Sequence, residues 1–81
     1  MEGDAVSFGL LRDKLIRDEI EDIIRKHGPI RRSDITNRLD ARRNWSGTYD
    51  DLVEDTITSL IEMEYDGEVR WHDRLGGWVL T

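Results

Sequence analysis

Between residues 31 and 43 the chain carries Arg31, Arg32, Arg38, Arg42 and Arg43 against Asp34 and Asp40, five bases against two acids and a local charge of +3. Arg70 and Arg74, with His72 between them, form a second basic stretch near the C-terminus. A guanidinium is a planar fork of donors that matches a phosphate or a guanine edge two bonds at a time. Arginines at this density therefore point to nucleic-acid contact, provided the two stretches meet on one surface. Trp45, flanked by Arg43 and Asn44, adds an aromatic face that could stack on a base or sugar. The competing reading is plain: the arginines are solvated or paired with acids of the same fold, and Trp45 covers the edge of a thin core.

The next segment has the opposite sign. Residues 48–64 hold Asp50, Asp51, Glu54, Asp55, Glu62 and Glu64 and no base. Other chemistries find little support. His27 and His72 stand on separate elements without metal-ligand spacing. No carboxylate pair is marked as a general acid and base, and Gly76-Gly77 reads as a turn, not a phosphate loop. So short a chain leaves little room for a substrate pocket. The expectation is a protein that is not an enzyme and takes no cofactor and no metal.

The chain has 81 residues, no cysteine and a net charge of −6. That length makes one domain with a thin core and excludes disulfide or thiolate staples. No window approaches the roughly 20 apolar residues of a membrane span, and the acidic start MEGDAVSFGLL is unlike a signal peptide. A soluble, cytoplasmic protein with no membrane partner is expected. Ten of the twelve bases are Arg and eleven of the eighteen acids are Asp. This acidic, Arg-over-Lys composition resembles proteins of halophilic archaea, where salt screens charge over a few ångström. An ordinary acidic protein from a GC-rich genome is the alternative source.

The elements that must hold these residues read as follows. Residues 1–9 lack periodicity and are taken as a flexible N-terminus. From Leu11, apolar residues recur at three- and four-residue steps through Leu15, Ile16, Ile20, Ile23 and Ile24, which predicts a helix over 11–27. Gly28 in a left-handed cap and Pro29 would stop it. Ser33 is a candidate N-cap for a short helix over 34–41 bearing Ile35 and Leu39. Residues 42–47 read as a loop. Thr48 with Asp51 resembles a capping box opening a helix over 49–65, with Tyr49, Leu52, Val53, Ile57, Leu60 and Ile61 as its apolar stripe. Gly67 ends it. Residues 68–72 and 78–80 have strand propensity, and 73–77 joins them as a hairpin whose glycines tolerate positive φ.

The expected core is Leu15, Ile16, Ile20, Ile23, Ile24, Ile35, Leu39, Leu52, Val53, Ile57, Leu60, Ile61, Val69 and either Trp71 or Trp78. Val69 and Trp71 should share one face of the hairpin, with Arg70 and His72 on the other.

An α+β chain of helix, helix, loop, helix and hairpin resembles a winged helix-turn-helix domain over residues 10–81. The residues that carry the resemblance are the segment GPIRRSDITNRL, the third helix capped by Thr48 and the terminal GEVRWHDRLGGWVLT. The resemblance implies double-stranded DNA as partner and a role in transcription regulation, with the third helix in the major groove. The charges argue against that docking. A carboxylate about 6 Å from a phosphate costs on the order of 2–3 kcal/mol at an effective dielectric near 20. The DNA reading therefore rests on Arg31, Arg32, Arg38, Arg42, Arg43, Arg70, Arg74 and Trp45. The alternative is a protein-interaction module whose acidic third helix meets a basic partner. Leu10, Leu11, Leu15 and Ile16 also form a broad apolar start to the first helix, a possible homodimer contact.

Overall fold

A computed structural model describes the backbone of residues 2–42 and 47–81, and the side chains of 15–42 and 47–81. The elements run α1 (Glu2–His27), α2 (Arg32–Arg42), α3 (Tyr49–Tyr65), β1 (Val69–His72) and β2 (Gly77–Leu80). Three helices followed by an antiparallel hairpin make an α+β fold compatible with winged-helix topology.

The first helix is longer than its periodicity predicts and runs through residues 2–9. Acidic residues near a helix start favour its dipole, and extending a formed helix is far easier than nucleating one. Its end also differs in detail. Gly28 donates to the Ile24 carbonyl at 2.8 Å but does not adopt the left-handed conformation. Glycine is needed there for space: a Cβ would lie 2.6 Å from the Ile24 oxygen.

Ser33 is the second residue of α2, not its cap. The helix begins two residues sooner than predicted because Ile30 is held in a bridge to Trp78, and the Arg31 carbonyl already accepts from the Ile35 N–H at 3.0 Å. The start of α3 follows the sequence closely. Thr48 Oγ1 accepts from Asp51 N–H at 3.2 Å, and the Asp51 carboxylate accepts from Thr48 N–H at 3.1 Å. At its end, Gly67 at φ +79° lets its own N–H and that of Glu68 bond the Glu64 and Met63 carbonyls at 3.0 and 2.8 Å, a Schellman closure.

The core is Ile16, Ile20, Ile23 and Ile24 of α1, Ile30, Ile35 and Leu39 around α2, Leu52, Leu60 and Met63 of α3, and Val69 of β1. Trp78 and Leu80 pack against it from β2. Several expected core residues lie elsewhere. Leu15 is half-exposed, Ile57 and Ile61 are exposed, and Val53 is intermediate. In place of Ile57 and Ile61, α3 buries Thr56 and Ser59. Thr56 can be buried because its hydroxyl donates to the Leu52 carbonyl at 2.7 Å, leaving only its methyl to pack. Thr36 of α2 does the same against the Arg32 carbonyl at 3.2 Å.

The hairpin pairs Val69 with Leu80, Arg70 with Val79, Trp71 with Trp78 and His72 with Gly77. Trp78 is the ring that covers the core. Trp71 remains 41% exposed and meets Trp78 edge-on, with centroids 5.8 Å apart at 77°. The turn closes through Gly76, at φ +69°, whose N–H donates to the His72 carbonyl at 2.8 Å.

Candidate nucleic-acid interface

Whether the two arginine stretches meet depends on a contact that the sequence did not signal. Ile30 forms an antiparallel bridge to Trp78, with Ile30 N–H donating to the Trp78 carbonyl at 3.2 Å and Trp78 N–H donating to the Ile30 carbonyl at 2.7 Å. Trp78 in turn pairs with Trp71. Ile30, Trp78 and Trp71 therefore lie in one row across three chain segments. In antiparallel register Arg31 then falls level with His72, about 10 Å away across two strand spacings. Arg70 lies two residues back along the same strand, on the same side of the pleat. Arg74 sits in the turn beyond.

Gly77 permits this approach. A Cβ there would lie 2.5 Å from the Ile30 nitrogen and 2.8 Å from the Pro29 carbonyl carbon. Its φ is not positive, so glycine serves here by its size. The pair Gly76-Gly77 thus does two jobs: the first residue takes the left-handed conformation and the second lets the 29–31 segment lie against the hairpin.

The predicted arginines divide into three groups. Arg31, Arg70 and Arg74 are exposed and make no ion pair with any described residue. Arg32 opens α2 and donates to Thr36 Oγ1 at 3.2 Å, while Arg38 lies 3.3 Å from His27 Nε2; neither pairs with a carboxylate among the described residues. Arg42 is different. It pairs with Glu19 and, at 2.9 Å, with Asp22, and Asp22 also holds Lys26 at 3.1 Å. Arg42 thus ties the end of α2 to α1 and is not free for a ligand. Arg43 and Trp45 lie outside the described residues.

His72 Nδ1 accepts from the Leu75 N–H at 3.1 Å, which ties the ring to the turn. Arg17 of α1 bonds Glu62 and, at 3.2 Å, Asp66. The bond to Glu62, followed by the nearby negative charge, raises the Arg17 pKa above its ordinary value. This pair staples α1 to the end of α3. Tyr49 donates to Asn37 Oδ1 at 2.5 Å and ties the start of α3 to α2.

Among the described residues no group of three or more His, Cys, Asp or Glu is placed to hold a metal ion, and no helix is long and apolar enough to cross a membrane. Sequence reasoning missed the Ile30 bridge and the exposed row Ile57, Ile61 and Tyr65 on α3. The row has a signal, the four-residue step, but that step alone predicts core for Ile57 and Ile61 as readily as an exposed face. Comparison with models of known families, with curated proteins and with solved structures returns no match.

Proposed function

We propose that this chain is a winged-helix protein that binds double-stranded DNA, through phosphate contacts from Arg31, Arg70 and Arg74 with Arg32 and Arg38 at the margin. A small transcriptional regulator is the role that fits such a module. The observation that carries the reading is the Ile30–Trp78 bridge, which joins the segment before α2 to the hairpin bearing Arg70. Arg42 leaves the proposed contact set because Glu19 and Asp22 already neutralise it. The major-groove mode through α3 is disfavoured by the acids at its start, Asp50 and Asp51. Contacts of this kind position a protein on DNA more than they read sequence.

The test is titration of a labelled mixed-sequence duplex, read by fluorescence anisotropy over a salt series. Affinity should fall linearly on a log–log plot against salt, and each of Arg31→Ala, Arg70→Ala and Arg74→Ala should reduce the slope by about one. Arg42→Ala should leave the slope unchanged. Absence of binding at low salt removes the proposal, as does a triple variant that binds like wild type.

A further inference from the structure

We infer that the exposed face of α3 built on Ile57, Ile61 and Tyr65 is a docking surface for a basic amphipathic helix of a partner protein. This goes beyond the DNA reading and stands on other residues. The three side chains follow one another at four-residue steps and are 42%, 60% and 90% exposed. The same helix buries Leu52, Thr56, Leu60 and Met63, so α3 carries two apolar faces and the fold covers one.

Charge decides which occupant fits the other face. At 100° per residue, Asp50, Glu54 and Glu64 fall in the same arc of about 100° as the three apolar side chains. All three acids are exposed and none forms an ion pair among the described residues. Glu62, further round the helix, is by contrast held by Arg17. An apolar row edged by unpaired carboxylates repels phosphate, so it suits neither DNA nor an anionic lipid surface. A second copy is disfavoured for the same reason: a two-fold contact presents this face to itself and brings the acids together. A helix with its own apolar row flanked by lysine or arginine satisfies both features, burying the row and pairing the carboxylates.

The probe is a synthetic helical peptide with leucines at i, i+3, i+4 and i+7 flanked by lysines. Its twin carries glutamate in place of each lysine. Binding is read by peptide anisotropy and by the methyl resonances of Ile57 and Ile61, with sedimentation velocity of the protein alone alongside. The lysine peptide should shift both methyls. Ile57→Ser/Ile61→Ser should weaken it about tenfold or more, and Glu54→Lys about threefold. Arg31→Ala/Arg70→Ala should leave it unchanged, which separates this surface from the DNA contact. Glu54→Lys should keep the wild-type melting temperature, and Ile57→Ser/Ile61→Ser, at positions 42% and 60% exposed, should lower it only modestly and leave the protein folded at the assay temperature. The inference is overturned by equal binding of both peptides, by unshifted methyls, by unaffected affinity in the isoleucine variant, or by a dimer that Ile61→Ser dissociates.

Discussion

Replacing Gly77 with alanine puts a methyl group 2.5 Å from the Ile30 nitrogen, 2.8 Å from the Pro29 carbonyl carbon and 3.0 Å from Pro29 Cβ. Two of those atoms are backbone, so no rotamer change relieves the overlap, and the 29–31 segment must move off β2. Two backbone hydrogen bonds then break, each worth about 1 kcal/mol net. Ile30, now 6% exposed, would lose part of the roughly 1.5–3 kcal/mol its burial contributes. The total is about 2–5 kcal/mol, a large share of the stability of so small a domain. At about 4–8 °C per kcal/mol, the midpoint should drop by roughly 8–40 °C in a circular-dichroism melt. Gly76→Asn is the control. Nothing lies within 4 Å of a Cβ at Gly76, and asparagine tolerates a left-handed backbone, so the expected loss is under about 1 kcal/mol. A Gly77→Ala variant that melts within about 4 °C of wild type would refute the clash. Where the alanine variant remains folded at low temperature, the proposed DNA binding should also weaken, because Arg31 and Arg70 would no longer be held on one sheet.

The two faces of α3 predict opposite outcomes. Met63→Ala empties a fully buried site and should cost about 2–5 kcal/mol in chemical denaturation, whereas Ile61→Ala should stay within about 0.5 kcal/mol. Equal losses would mean that the buried side of α3 is misassigned. Thr48→Ala removes one half of the capping box and should cost about 1 kcal/mol by the same assay, with Thr48→Ser close to wild type. Arg42→Met should lower stability by about 1–2 kcal/mol at low salt through the lost pairs to Glu19 and Asp22. The loss should shrink toward 1 M salt, where the screening length falls to about 3 Å. A salt-independent loss would point to packing of the arginine stem instead.

Much of the architecture is legible in the chain because its signals are local. The isoleucine spacing of α1, the Thr48–Asp51 box and the glycine after α3 each act over a few residues, and each does its work as the spacing predicts. The hairpin follows for the same reason: alternating strand formers flank a turn whose Gly76 takes positive φ. What the chain alone left open was settled by partners distant in sequence. Arg42 is consumed by acids 20 and 23 residues away, a pairing no local pattern encodes. Periodicity marks α3 as amphipathic but does not say which arc turns inward. The folded chain buries Thr56 and Ser59 and leaves Ile57 and Ile61 exposed, and the Thr56 hydroxyl tolerates burial because its own helix satisfies it through the Leu52 carbonyl. Pairing between Ile30 and Trp78 exists only once α1 and the hairpin lie together, since a backbone bridge depends on which segments the tertiary fold brings within reach and carries no side-chain signature. Composition thus supplied the arginines, and the position of Arg31 beside the hairpin was decided by the folded chain.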